Sequence, residues 1–463
     1  MMNKRWRLTM LSVLSFIAFI GIAGITNLFP ALSVPSGIPP IEDAATTSCD
    51  SRSTMPRHFQ IIGKADTVHW GYFSKSQPPI LSVHSQDYVT LDLITHHAGD
   101  DYERMIQGDS GIESIYRWTE TEQGISNRGP GVHILTGPVY ICDAEPGDLL
   151  EVRILDLQPK PSGNPNYSGK TYGSNAAAWW GFHYKNLAQE PNPREVITIY
   201  EIDNTGERNW AKAIYSYRWT PQTTPDGKQH ATIDYPGIIV DHSTVEETPN
   251  VLEGVKVPLR LHIGAMGVAP KEADIVNSIP PGYFGGNIDN RHTGVGTSMY
   301  YPVAVPGALF SAGDAHAAQG DSELDGTAIE TSLVGTFQFV LHKQADLVGT
   351  MLEGVNYPLL ETPDAWIVHG FTYANYLEAL GPDAQTKIFE VSSLDPALQD
   401  CSTKLRDFLM NGMNLTEDEA YSLITVGGDF AITQVVDGNW GVHGIIPKAM
   451  FEDRPVKPRP ISS

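Results

Sequence analysis

Cysteine is scarce in this chain of 463 residues: Cys49, Cys142 and Cys401 are the only three. Three scattered thiols are too few for a disulfide framework or a cysteine-ligated zinc site. Cys142 lies in an apolar run with nothing nearby to lower a thiol pKa, which argues against a cysteine nucleophile. Positive charge is short as well. Lys and Arg total 31 against 54 Asp and Glu, a net charge of -23, whereas phosphate backbones demand clustered cations. A nucleic-acid partner is therefore not expected. G-x-S-x-G, S-x-x-K and H-E-x-x-H are all missing, which removes the usual serine and helix-borne zinc hydrolase signatures. If the chain is an enzyme, chemistry based on acids and a metal remains.

What is present favours strands. With 43 Gly, 33 Pro and only 18% charged residues, the composition suits a loop-rich, strand-rich body better than a helical bundle. Its length fits two or three domains or one elaborated unit. Lys4, Arg5 and Arg7 precede an apolar run from Leu8 to Phe29, and "ALS" ends at Ser33. Residues 1–33 thus read as an export signal or a membrane anchor through residues 8–29, placing the body outside the cytoplasm or on the membrane facing outward. Residues 34–57 read as a Pro/Ser/Thr-rich linker, 58–450 as the catalytic body and 451–463 as a loose tail. Within the body, short apolar or alternating runs recur at 80–94, 132–142, 148–158, 194–203, 258–269, 296–305 and 332–342, a pattern of stacked antiparallel strands. Helical signals come late. Residues 395–414 carry an apolar stripe with Asp395 as cap, Thr416 starts a second short helix, and 430–436 returns to strand. The expected fold class is mainly β (α+β).

Chemistry concentrates in three stretches. "GDAHAAQGDSE" (313–323) gathers Asp314, His316, Asp321 and Glu323 with no Lys or Arg among them. On extended backbone, residues two apart share a face, so Asp314 would join His316 and Asp321 would join Glu323. A divalent cation would relieve the repulsion; a hydrated acidic loop is the plainer alternative. "DSELDG" (321–326) mimics a calcium loop, but the twelfth place is Ser332 and Glu330 comes two positions early, so the EF-hand fails. A one-off second site for calcium stays open. The Gly-rich loop 280–298 offers Asn287, Asp289 and His292 without a phosphate-loop ending. "THHAGDD" (95–101) offers His96 and His97, of which at most one faces a shared site. His133 sits in an apolar run, where a core histidine is an equal alternative. Trp179, Trp180 and Phe182 in "NAAAWWGFHY" would wall a small pocket or pack in the core.

"HILTGPVYICDAEPGDLLEVRILD", "IGAMGVAP", "GGNID" and "GALFSAGDAHAAQGDSELDGTAIE", in that order, resemble the acetamidase/formamidase family, from about His58 to Lys448. The resemblance implies a β-sandwich or barrel scaffold with a small helical C-terminal element, associated metal ions, and hydrolysis of a short aliphatic amide to carboxylate and ammonia. Family members show an Asp-containing stretch where this chain has "THHAGDD", and the region 160–185 looks like a subgroup feature. The residues then suggest a mechanism. A zinc-like ion held by His97, Asp289 and His316, with Asp314 close by, would polarise the amide and acidify a water. Glu323 would shuttle the proton, its pKa raised by Asp314 and Asp321, and His133 would stabilise the oxyanion. Trp179, Trp180, Phe182 and Asn287 would contact the substrate. A homo-oligomer is expected. An exported, non-catalytic binder of small amides or metal, and a hydrolase of a urea or guanidine derivative, are the competing readings.

Export is directly testable. A reporter active only outside the cytoplasm, fused after Ser463, should give signal, and deleting residues 1–33 should abolish it; signal retained without those residues would refute the reading.

Overall fold

The computed structural model describes residues 38–460 except 43–47, 51–52, 118–127, 185–193, 207–208 and 235–236. Residues 8–29, the expected export or anchor segment, lie outside the described residues. Among those described, no helix is long and apolar enough to cross a membrane.

The alternating runs become two large sheets, one of ten strands and one of twelve. The first is centred on Leu333–His342, which pairs with Tyr88–Leu93 on one side and Leu149–Pro159 on the other. The second is centred on Phe310–Ala318, flanked by His262–Gly267 and Ile329–Glu330. Side chains alternate across each sheet. Leu150, Val152 and Ile154 of the first sheet and Leu135, Ile263 and Ala312 of the second therefore share one buried core. Phe310 shows the interdigitation, its ring 5.1 Å from Phe339 and 6.2 Å from Phe337 across the gap. The fold is the expected sandwich. Its pairing is not purely antiparallel: His58–Ile61 runs parallel to Tyr88–Leu93, and Leu81–Val83 runs parallel to Ile134–Ile141.

The outer face of the first sheet is covered by the expected late helices. Leu394–Gly412 places Leu405, Phe408 and Leu409 against Leu359, Trp366 and Val368. Ser393, not Asp395, occupies its N-cap position, and Asp395 lies in the first turn, where a negative charge suits the helix dipole. Glu417–Gly427 opens with a full capping box between Thr416 and Glu419.

Two segments are more tightly held than their composition suggests. Ile41–Glu42 of the linker pairs with His58–Ile61, and Cys49 is disulfide-bonded to Cys142. The cysteines thus make one bridge, although no framework. In the tail, the Lys457 amide donates to the Gly412 carbonyl, and Pro458 accepts from Met351. Arg459 reaches Glu361, a buried carboxylate that also holds Lys448. Cys401, the remaining thiol, is buried, and burial pushes its pKa up to about 12, so it stays protonated.

Candidate active site

The site forms where the central strand of the second sheet departs from regular geometry. In the pairing of Phe310–Ala318 with His262–Gly267, His316 faces His262 and Gly313 faces Ala265. Between these pairs Asp314 takes φ 54°, which re-aims its carboxylate as an irregularity in a strand can. Gly264 lies beneath it. A Cβ there would collide with Asp289 Oδ1, Asp314 Oδ2 and His316 Cε1, so only glycine leaves room for all three. Asp289, Ser322 and Glu323 also have left-handed backbone, at φ 54°, 84° and 49°. Four non-glycine residues in this sparsely populated region, all in or beside one cluster, mark strain held by the surrounding sandwich.

Around this cradle the charged groups are buried and close. His316 Nε2 lies 3.2 Å from Glu330 Oε1, 3.4 Å from Asp314 Oδ2 and 3.7 Å from Asp289 Oδ1. Its Nδ1 is 3.0 Å from Gln319 Oε1, and the Gln319 amide donates to the Asp289 carbonyl at 2.7 Å. On the opposite side, Asp314 Oδ1 is 3.6 Å from His96 Nδ1, and Oδ2 is 3.7 Å from His133 Nε2. Ser278 Oγ lies 2.8 Å from the other nitrogen of His133 and fixes the ring. Asp437 arrives from the other sheet, in the turn between Asp429–Gln434 and Gly441–Pro447. Gln434 shapes that turn by accepting from the amides of Val436 and Asp437, both at 3.0 Å.

The electrostatics divide the cluster. Burial, with added repulsion from Asp289, Glu330 and Asp314, raises the Glu323 carboxyl well above its ordinary range, despite the opposing pull of His316. Burial raises Asp437 likewise, with Asp289 and Glu323 adding to the shift. For Asp314, burial acts upward, but His133, His316 and His96 outweigh it and hold the carboxyl well below the usual range. For His316, burial opposes charge, yet Glu330 and Asp314 raise it well above an ordinary imidazole. His96 and His133 are shifted down, chiefly by burial, with Asp314 acting the other way on both. Neutral imidazoles beside an ionised carboxylate are metal donors; a carboxyl with a raised pKa is a proton carrier.

Candidate donor atoms of His96, His133 and Asp314 all lie within 4.8 Å of one another, as do those of Asp289, His316 and Glu323, and those of Asp314, His316 and Glu330. Asp289 Oδ1, Glu323 Oε2 and Glu330 Oε2 are buried without a hydrogen-bond partner among the described residues. Buried lone pairs of this kind call for a cation or a proton. Nitrogen and oxygen donors in this number fit a divalent ion. The cluster forms the floor of a cavity of about 380 Å³.

Comparison with known proteins identifies the family. The model of the acetamidase/formamidase family matches residues 128–278 and 273–453. The chain belongs to that family. It is 27% identical over 234 residues to the acetamidase of Mycolicibacterium smegmatis, covering 45% of this chain and 55% of the relative. To the formamidase of Methylophilus methylotrophus it is 27% identical over 213 residues, 42% of this chain and 47% of that protein. The chain thus spans about half the length of the curated relatives it matches. The crystal structure of an acetamidase from Bacillus halodurans superposes with a TM-score of 0.57 at 21% identity, covering 86% of this chain and 100% of that one, which shows the shared fold.

Within this family scaffold the sequence-derived candidates are placed as follows. Asp289, Asp314, His316 and Glu323 converge on the cradle. His133, Trp179, Trp180, Phe182 and Asn287 line the cavity above it. His97 does not line it. Its Nδ1 lies 2.9 Å from Asp100 Oδ2, which also receives the Ser174 hydroxyl, and His96 is the neighbour whose ring faces His133 and Asp314. Asp321 is also turned away, bonded to Arg291 Nε at 2.6 Å. The left-handed backbone at Ser322 and Glu323 breaks the extended geometry that would have put Asp321 and Glu323 on one face. Asp325 goes to Asn175, so the three acids of "DSELDG" reach three different neighbours. Glu330 and Asp437 were not anticipated. Each is a lone acid directly after a pair of apolar residues, Ala328-Ile329 and Val435-Val436, and that placement was the available signal.

Gly264→Ala should lower stability by about 1–3 kcal/mol through overpacking. Combined with Asp314→Ala, the two changes should be non-additive by about 1 kcal/mol or more in urea unfolding, because the second removes one of the three atoms that the first strikes. Additive costs would show that the cradle has room to spare.

Proposed function

We propose that the chain hydrolyses the C–N bond of a linear amide, giving a carboxylate and ammonia or an amine. The observation that carries this reading is the floor of the cavity. Two imidazoles shifted down by burial and an Asp314 held below the usual carboxylate range stand within 4.8 Å of one another, beside a buried Glu323 carboxyl that is shifted up. His96, His133 and Asp314 have the composition of a catalytic zinc site, two nitrogens and one carboxylate oxygen. A divalent ion bound there supplies Lewis acidity and makes water a better nucleophile near neutral pH. The remaining work falls to the chain. Asn287 Oδ1, buried and without a hydrogen-bond partner among the described residues, accepts from the amide N–H and orients the carbonyl. In its ionised form Glu323 takes a proton from the attacking water as the water oxygen bonds to the carbonyl carbon, its raised pKa making it the stronger base. It returns that proton to nitrogen as the C–N bond breaks. His316, with Glu330 and Asp289 around it, keeps positive charge beneath the developing anion.

The names of the family relatives, acetamidase and formamidase, support the reaction class. The Cys49–Cys142 bridge supports an oxidising compartment, in keeping with export.

Exhaustive chelation of the full chain should abolish ammonia release from short amides, and zinc should restore it; full turnover in demonstrably metal-free protein would remove this mechanism.

Glu323→Gln keeps the shape of the side chain but cannot carry a proton. It should lower kcat by about 10²–10⁴-fold with metal content retained. Lost metal content would make Glu323 a ligand instead, and near-normal kcat would exclude both roles.

A further inference from the structure

The walls of the cavity say more about the substrate than its floor does. Above the carboxylates rise Trp179, Trp180, Phe182, Ile233, Phe389 and Trp440. The indole N–H groups of Trp179 and Trp180 are already engaged. Trp179 Nε1 donates to the Ile233 carbonyl at 3.1 Å, and Trp180 Nε1 to the Gly326 carbonyl at 3.0 Å. The two indoles meet edge to face at 5.8 Å, and Phe182 meets Trp440 at 6.0 Å. With their N–H groups satisfied by the backbone, the two indoles present hydrocarbon to the cavity. The wall is also coupled to the chemistry: Gly326, which holds Trp180, donates its own amide to the Glu323 carbonyl at 3.2 Å.

Size makes the mismatch with a minimal amide plain. Acetamide has four non-hydrogen atoms, roughly four waters' worth of liquid volume or about 120 Å³. The cavity is about 380 Å³. That falls at the lower end of the roughly 300–1,000 Å³ typical of sites for much larger organic ligands. An acetamide held at the floor would leave most of the aromatic wall facing water. Apolar surface so arranged gains free energy only when a ligand covers it.

We infer that the substrate of this chain is an amide bearing an apolar substituent of about ring size, seated against Trp179, Trp180, Phe182 and Trp440, with its C–N bond over the carboxylates. This rests on the amide-hydrolase reading above and narrows it. The substituent belongs to the acyl group or to the amine, and both present the same chemistry to the wall.

The test is a series of kcat/KM values for the full, metal-replete chain on acetamide, isovaleramide, phenylacetamide and N-benzylacetamide. One methylene in an apolar pocket is worth roughly 10–200-fold. The better of the two aromatic amides should therefore exceed acetamide by at least about 30-fold, and which of them wins assigns the acyl or the amine side. Trp440→Ala should reduce that ratio by about tenfold or more, a change of preference that simple loss of folded protein would not produce. A kcat/KM that falls with every added carbon overturns the inference. So does a preference for betaine amide over its neutral isostere 3,3-dimethylbutanamide, since the aromatic wall would then be a cation site. If no amide is hydrolysed, the reaction proposed above fails, and quenching of tryptophan fluorescence decides the substrate class independently. Tighter binding of phenylacetamide than of acetamide sustains it, and equal or weaker binding overturns it.

Discussion

Like charges that are forced together in a dry place govern this structure. Asp289, Asp314, Glu323, Glu330 and Asp437 are all buried in one neighbourhood, and His316 is the cationic side chain at its centre. An ionised carboxylate taken out of water without compensation costs several kcal/mol, so five of them cannot all be charged there. The protein divides the burden unevenly. Asp314 keeps its charge through three imidazoles, while Glu323 and Asp437 are pushed towards the protonated form. That inequality is the raw material for acid–base chemistry.

Such a cluster persists only if the scaffold resists it. The left-handed backbone at Asp314 is held within a strand buried on both faces, Asp289, Ser322 and Glu323 lie in the loops beside it, and Gly264 clears space for the Asp289 and Asp314 carboxylates. The sandwich supplies the stiffness, since close-packed interiors have little room to relax strain. Its two sheets also meet at the site. Asp314 belongs to the centre of one and Asp437 to the terminal hairpin of the other.

Most of the architecture was legible in the residues. Alternation located the long strands because each has one face in the shared core, and the stripe at 395–414 marked the covering helix. The site was legible in part. Its densest stretch, 313–323, does supply Asp314, His316 and Glu323, and the family resemblance drawn from that string is matched by the family model. Local rules failed where the backbone leaves standard geometry. Asp321 would share a face with Glu323 only on extended chain, and Ser322 between them and Glu323 itself are left-handed. The choice between His96 and His97 turned on the tight turn at 98–101, where Asp100 captures His97. Glu330 and Asp437 join the site through pairings that no local spacing encodes.

The route of the chain through the site has a consequence for when the site comes into being. Its members run from His96 near the start of the body to Asp437 near its end, and Gln434 orders the last turn only once Val436 and Asp437 have been added. Contacts so distant in sequence form late, after the loops between them have closed. A partly made or clipped molecule lacking the terminal hairpin would own the aromatic wall except Trp440 and the strand with Asp314, yet lack Asp437, whose carboxyl interacts with Asp289 and Glu323. Completeness of the polypeptide is therefore built into the ionisation of its centre.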